Sequence, residues 1–356
     1  MEVHDIIIFP DVAKLPKSDL KDIATNLSLD NTGTAFDLAR RIWDYAVDSP
    51  TKERAFSPYH NKLLAGRTSI SWFKCDNLEK LVEFLEQYEE GNPFESKIPY
   101  DPERLNTTPR LRSASRIDEN SYFLRFIYKD GTRRIMGEDI EILPTTNTAT
   151  VYIDEVKGII EIRANPNQAQ KIAEVIAGYL KQSLSLNKED FIKPFGYDLE
   201  KLAEEIDGVL SESRASPEMW MDSLHVSENE SIVEILGAID SYFENKEIDK
   251  LQDKLDSALT VLGEEVTEMP FIAIVLAGMG NVGLKVDTND LRDTAFYQLL
   301  KPYVQTYGGN IKFDVNVDGV LKNYTIQVGV ESKSIYFRTN TTTEEVIKHV
   351  RDRIVV

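Results

Sequence analysis

Eight basic residues crowd the stretch from Arg104 to Arg134: Arg104, Arg110, Arg112, Arg116, Arg125, Lys129, Arg133 and Arg134. Asp118, Glu119 and Asp130 oppose them, which leaves the stretch at +5 in a chain of 356 residues whose net charge is −19. Tyr122, Phe123, Phe126 and Tyr128 are interleaved with these cations. A strand that turns arginines and aromatics outward can hold phosphates and stack on bases. The same residue types also serve a plainer end, with the aromatics packed as core and the arginines paired to carboxylates or set in a protein interface.

Other groupings with chemical potential are less complete. Asp154-Glu155-Val156-Lys157 contains the Glu-x-Lys element of metal-dependent nucleases, with Asp139 as an upstream acid; there carboxylates hold magnesium and a lysine steadies the attacking water. The tetrad lies between two strand patterns and ends at Gly158, which reads as a hairpin turn. Gly278, Gly280 and Gly283 match the dinucleotide-binding G-x-G-x-x-G string after the apolar run 271–277. The helix that such a unit needs is interrupted at Val286, and a buried helix ending in glycines accounts for the string. His4, His60, His225 and His349 lack zinc-ligand spacing, and Cys75 is the one cysteine, so no internal disulfide forms. Spacing suggests no Ser-His-Asp or Cys-His pairing, although His60 and Cys75 can meet in space. Trp43, Trp72, Trp220, Met219 and Met221 read as core or interface residues. The expectation is a protein without catalysis, metal or cofactor, with the nuclease set Asp139, Glu155 and Lys157 as an alternative.

A charge of −19 argues against broad coating of DNA, because a domain that lives on phosphate neutralisation is basic; any nucleic-acid contact must be local. With 42% apolar residues, the chain has material for two or three cores. The start, MEVHDIIIFPD, lacks the pattern of a signal peptide, and no window has the length of a membrane span. A cytoplasmic setting with no membrane partner is expected.

From Leu15 to Tyr45 the spacing predicts two short amphipathic helices. Leu20, Ile23, Ala24 and Leu27 recur at three-or-four intervals, and Leu38, Ile42 and Tyr45 repeat the pattern after Gly33. Between them, Asn31 and Thr32 favour a turn, Gly33 supplies a backbone angle other residues avoid, and Thr34 is placed as an N-cap. This segment resembles the SAP module, a small helix-turn-helix-like DNA-binding motif, through the leucine after the first helix, the "GT" of the connector and the Leu-x-x-x-Ile of the second helix. Ala35 stands where family members often carry lysine. The resemblance implies DNA contact by Lys17, Lys21, Gly33, Thr34 and Arg40, with the amides after Gly33 facing a phosphate. The first fifty residues nevertheless hold nine carboxylates against Lys14, Lys17, Lys21, Arg40 and Arg41, and shapes of this kind also dock proteins.

The elements that must position these groups follow from period and punctuation. Asp48 to Pro58 is polar and proline-flanked, a boundary signal. Beyond it come a strand at 68–73, a charged helix at 78–88, a proline-punctuated loop at 91–109, and strands at 122–128 and 132–136 joined by Asp130-Gly131 as a hairpin turn. Strands at 149–153 and 158–163 follow, and Asn165 leads into a helix over 169–184. Helical patterns at 199–210, 231–243 and 248–262 follow in a region carrying thirteen carboxylates against four cations over 201–250, which suits a solvated or protein-facing surface. Helices at 270–279 and 291–307, a hairpin, a strand pair and a last helix complete the chain.

Residues 158–176 overlay 333–351 without gaps at a constant offset of 175, pairing Ile160 with Ile335, Ile162 with Phe337, Arg163 with Arg338 and Asn165 with Asn340. Each copy is preceded by an Asp-Gly pair. Duplication would set Arg163 and Arg338 at matching strand ends, both as candidate phosphate contacts. The fold expected is α+β: a helical module at 1–50, an α+β domain at 58–190, an acidic helical insertion at 191–265 and a C-terminal α+β domain at 266–356 repeating part of the second. The functional expectation is DNA-associated binding or regulation, as in accessory subunits of DNA-processing or phage-defence complexes, through the N-terminal residues and Arg110, Arg112, Arg116, Arg125, Arg133 and Arg134. A protein partner or self-association would engage the acidic helices. A subunit that only binds protein is the alternative.

Overall fold

The computed structural model describes residues 1–355 apart from 77, 137–139, 181–185, 218–225, 246–247, 268–281, 286–289 and 302–303. The N-terminal region is helical: α1 (Val3–Ile6), α2 (Phe9–Ala13), α3 (Lys17–Asn26), α4 (Ala35–Tyr45), α5 (Ser49–Phe56) and α6 (His60–Leu63). Then come β1 (Ser69–Lys74), α7 (Glu79–Glu86), β2 (Arg110–Arg116), β3 (Ser121–Met136), β4 (Ile140–Asp154), β5 (Ile159–Arg163) and α8 (Pro166–Tyr179). The next elements are α9 (Leu199–Glu205), β6 (Gly208–Pro217), α10 (Val226–Asn245), α11 (Ile248–Thr267), β7 (Val282–Lys285) and α12 (Ala295–Leu300). Strands β8 (Val304–Val317), β9 (Val320–Gly329) and β10 (Ser334–Phe337) precede the last helix, α13 (Glu344–Ile354). The class is α+β, as the residue pattern predicts.

Two compact units form. The first comprises Met1–Pro194, Phe313–Val328 and Ser332–Val356; the second comprises Phe195–Lys312 and Gly329–Glu331. This differs from the four parts expected. The SAP-like helices and the final strand-helix segment belong to the first unit because their apolar faces have no core of their own. Leu20, Ile23, Ala24, Leu27, Leu38 and Ile42 are buried together with Leu63, Leu64 and Phe123 of β3, each such side chain contributing about 1.5–3 kcal/mol of burial. The boundary expected at Asp48–Pro58 is instead the start of α5. The Asp48 carboxylate accepts from the Thr51 amide at 3.0 Å, Pro50 sits in the first turn, and Ala55 and Phe56 are buried. A capping acid followed by proline marks a helix start as readily as a linker.

In the first unit the strands run β2-β3-β4-β5-β1-β10-β9, followed by the end of β8. One face packs on α8, where Ile160 and Ile162 of β5 meet Ala169, Ile172, Ala173 and Ile176. The other face packs on α13 and the N-terminal helices. All five residues of β5 are buried.

Asp130-Gly131 is not a hairpin turn. Strand β3 runs straight through it, Lys129 pairing with Thr146 and Thr132 with Pro144, so two residues of β3 oppose Thr145 alone. This is a β-bulge, and Gly131 supplies its φ of 120°. Asp318-Gly319, with φ of 54° and 78°, does form the two-residue turn between β8 and β9.

The offset-175 overlay has a clear counterpart in three dimensions. Strands β3-β4-β5 and β8-β9-β10 flank β1 in mirrored order, and β5 and β10 both pair antiparallel to β1. Ile70 pairs with Arg163 on one side and with Ile335 on the other, so Ile335 shares the Arg163 face while its counterpart Ile160 lies on the opposite face. Helix α8 accordingly covers one face and α13 the other. A two-fold rotation along β1 produces this arrangement, and it gives matched sequence positions opposite surroundings.

The second unit orders its strands as the beginning of β8, then β6, then β7. The helix expected at 199–210 stops at Glu205. Asp207 turns with φ of 53° and β6 starts at Gly208, where a Cβ would lie 2.7 Å from Ile311 Cγ2. The helix expected at 291–307 shrinks to a single turn at Leu291–Asp293 and α12, after which β8 begins. Helices α10 and α11 form as predicted. Gly283 pairs with Arg214 in the β6–β7 ladder rather than extending a helix, while Gly278 and Gly280, the 270–279 helix pattern, Met219, Trp220, Met221 and His225 lie outside the described residues.

Candidate nucleic-acid interface

The first unit sorts the expected cations into buried and exposed sets. Arg163 is 4% exposed and donates to Glu161 from Nε at 2.9 Å and Nη2 at 2.8 Å, to Leu64 O at 2.9 Å, and to Glu344 from Nη2 at 2.6 Å. Glu161, with no exposure, also accepts from Trp72 Nε1 and from Arg351 Nη1, both at 3.0 Å. Burial pushes the Glu161 carboxyl up, but the two guanidiniums and Trp72 more than reverse this and hold it below the usual carboxylate range. Arg125 is likewise buried, with Nη2 2.9 Å from Asp11 Oδ2 and 3.2 Å from Thr148 Oγ1. Neither arginine reaches a phosphate. Both expectations are corrected because a buried carboxylate takes each guanidinium, and β5 is covered on both faces. Arg338, at the matching position of the second copy, is exposed just beyond β10.

Arg110, Arg116, Arg133 and Arg134 lie along one edge of the sheet. Strand β2 is the edge, and past Arg110, which pairs with Ile127, β3 itself takes over. At about 3.3 Å per residue, the line from Tyr122, opposite Arg116, to Arg134 is about 36 Å long, close to one turn of duplex DNA. Along it, Arg116 Nη2 lies 2.6 Å from Glu86 Oε1 and Arg110 Nη2 lies 2.7 Å from Glu90 Oε1. These four side chains are 37–49% exposed. Exposed pairs of this kind are worth about 0–1 kcal/mol, so phosphate can replace the carboxylates at little cost. Arg133 and Arg134 are exposed beyond the bulge, and their side chains, among the described residues, make no hydrogen bond or ion pair. Arg112 turns away from the edge and sets its guanidinium 4.9 Å from the Tyr100 ring centroid.

In the SAP-like segment the two helices, the glycine turn and the acidic surroundings are as expected, and the difference lies at the cap. Lys17 and Lys21 are exposed one turn apart on α3, and Arg40 is exposed with Nε 3.7 Å from Asp44. Gly33 has φ of 108°, and Thr34 Oγ1 accepts from the Asp37 amide at 3.2 Å. The Asp37 carboxylate accepts in return from the Thr34 amide at 2.9 Å and the Thr34 hydroxyl at 2.7 Å. These bonds hold the carboxyl below its ordinary value. The Thr34 amide is therefore not offered to a phosphate, which corrects that part of the expectation: a capping box satisfies the donor with the chain's own anion.

The nuclease set is not assembled among the described residues. Residues 155–158 form the turn between β4 and β5, Lys157 Nζ reaches Asp352 at 2.7 Å, and Asp139 lies outside the described residues. No group of three His, Cys, Asp or Glu side chains among the described residues is placed to hold a metal ion. Cys75 is buried in the α8-side core while His60 stacks on His4 at 5.5 Å. A cavity of about 700 Å³ has Phe123, Tyr152 and Arg351 among its lining residues, but Glu2, Asp118, Asp154, Glu344 and Glu345 outnumber the remaining cations around it. That rim disfavours an anionic ligand. No helix among the described residues is long and apolar enough to cross a membrane.

Sequence reasoning missed Glu86 and Glu90, the edge partners, and Lys97, which packs near Arg112. Glu86 is the last residue of α7 and Glu90 lies in the turn beyond it, so no single periodicity marks the two as a pair. Lys97 lies in an irregular loop and carried no signal. Compared with known proteins, the chain matches no family model and no curated protein.

Proposed function

We propose that this protein is a non-catalytic, DNA-associated binding or accessory subunit acting in a cytoplasmic setting, with Arg110, Arg116, Arg133 and Arg134 meeting the phosphate backbone along the β2–β3 edge. One observation carries the reading: an otherwise acidic chain sets these exposed cations along a single edge about one duplex turn long. Lys17, Lys21 and Arg40 on the N-terminal helices would add to placement, in keeping with the SAP resemblance. A role in a DNA-processing or phage-defence assembly follows by architectural analogy alone.

The acidic α10–α11 pair favours a protein partner as the second contact, since Val233, Ile248, Leu255 and Val261 are exposed on it. A subunit that binds protein only is the competing reading. Fluorescence anisotropy with duplex and single-stranded DNA separates the two. Four phosphate contacts give a log–log salt slope of about −3.6, a loss of about 150-fold between roughly 50 and 200 mM salt. Changing Arg133 and Arg134 to Glu removes about half of that slope and most of the affinity. Absence of binding to either nucleic acid at low salt, or binding undiminished in the double variant, refutes the DNA reading.

A further inference from the structure

On the N-terminal-helix side of the first unit's sheet, α1–α2, the loop before β2 and strands β2, β3 and β4 enclose a cavity of about 300 Å³. Lys97, Arg112 and Arg125 all line it. Of the three, Arg125 alone is bonded to a carboxylate, Asp11, which is already committed: Oδ2 takes Arg125 Nη2 at 2.9 Å and the Ile8 amide at 2.9 Å. Arg125 is satisfied by Asp11, Thr148 and Thr150. Arg112 is not. Its Nη1 is buried with no hydrogen-bond partner, and the neighbouring Ser113 Oγ is buried and unpartnered as well. Lys97 Nζ has a weak 3.4 Å contact to Ile7 O, and burial together with the charges of Lys52, Arg112 and Arg125 outweighs the opposing pull of Asp5 and pushes its pKa down to about 8.

Asp5 also acts on Lys97, but it accepts from the Glu2 amide and does not line the cavity, so the lining carries three cations of which one is bonded to a carboxylate, a costly arrangement unless an anion completes it. The donors approach from three directions: the loop, β2 and the threonine hydroxyls of β4. A carboxylate needs one arginine fork, whereas a tetrahedral dianion uses donors spread in this way. We propose that this cavity binds a phosphate monoester group, with Arg112 and Lys97 as its principal contacts, Arg125 fixing the wall behind them and Tyr100 supporting the Arg112 guanidinium. The volume admits a phosphate and an attached sugar-sized group. An internal phosphodiester carries one charge and continues in both directions, so it fits less well than a terminal phosphate. This site is separate from the edge arginines and stands or falls without them.

Calorimetric titration of the full chain with inorganic phosphate at constant ionic strength tests the proposal, using Arg112→Met and Lys97→Met, which keep the apolar stems. Phosphate is expected to bind the parent, and each variant to weaken it at least tenfold while its melting temperature in phosphate-free buffer is unchanged or higher, because a buried like charge has been removed. A nucleoside monophosphate and paired 5′-phosphorylated and 5′-hydroxyl oligonucleotides then assign the source. Preference for the phosphorylated oligonucleotide indicates a nucleic-acid end, and binding of the monophosphate alone indicates a free metabolite; both support the site. No phosphate heat and no phosphate-dependent rise in melting temperature overturns it, as does undiminished binding in both variants. Arg133→Glu with Arg134→Glu must leave phosphate binding intact even where it abolishes duplex binding.

Discussion

Replacing Arg163 with methionine tests the division between buried and exposed arginines most directly. The substitution removes every bond of a guanidinium whose side chain is 1% exposed and leaves Glu161, itself without exposure, to Arg351 and Trp72. Leu64 O loses its donor at 2.9 Å, and Phe123 loses a cation 5.2 Å from its ring centroid. Removing one partner of a buried pair costs about 3–5 kcal/mol. Because a second guanidinium remains on Glu161, the lower end applies, so about 3 kcal/mol is expected, or roughly a hundredfold loss of protection. Hydrogen exchange at the amides of β1 and β5 is the suitable assay, since a chain of two units need not unfold in one transition. Changing Glu161, Arg163 and Arg351 together to apolar residues of similar size should recover much of the loss, because the desolvation cost of all three charges disappears. A variant that keeps parental protection while its DNA salt slope drops by about one refutes this account and restores Arg163 as a phosphate contact.

The same carboxylate sets an acid limit. Glu161 has a folded pKa below its unfolded value, so its contribution is complete above about 4.5 and is lost as pH falls below that value; near-ultraviolet dichroism should show the first unit loosening there, and Arg351→Met should move the onset to higher pH. An unchanged onset in that variant would count against the network. Thr34→Ala should cost about 1 kcal/mol in the protection of α4 by removing the cap, and because the Thr34 amide serves Asp37, it should leave the DNA salt slope unchanged.

Much of the local structure was legible from residue order alone. The apolar spacing in α3 and α4, the Thr34 cap, the β1 strand and the charged α7 all depend on neighbours within a turn or a pleat. The candidate edge was legible only in part: Arg110, Arg116, Arg133 and Arg134 were found as members of a basic stretch, but so were Arg112 and Arg125, which face inward. The Asp-Gly pairs show the limit clearly. Asp130-Gly131 and Asp318-Gly319 are the same dipeptide, yet one is a bulge within a strand and the other a turn, because the first lies against the continuous partner β4.

Sequence by itself determined the α+β class, the amphipathic helices, the 175-residue correspondence and the concentration of cations in one stretch of an acidic chain. Tertiary structure alone decided which cations are available. Arg125 is sequestered by an aspartate 114 residues away, Arg163 by the neighbouring Glu161 together with a glutamate 181 residues away, and Glu161 by an arginine 190 residues away. Such pairings depend on which side chains burial brings into one dry space, and no local pattern encodes that. The two-fold relation of the repeats makes the same point: it sends Arg163 into the core and leaves Arg338 in solvent, so equivalent residues in the chain end with opposite roles.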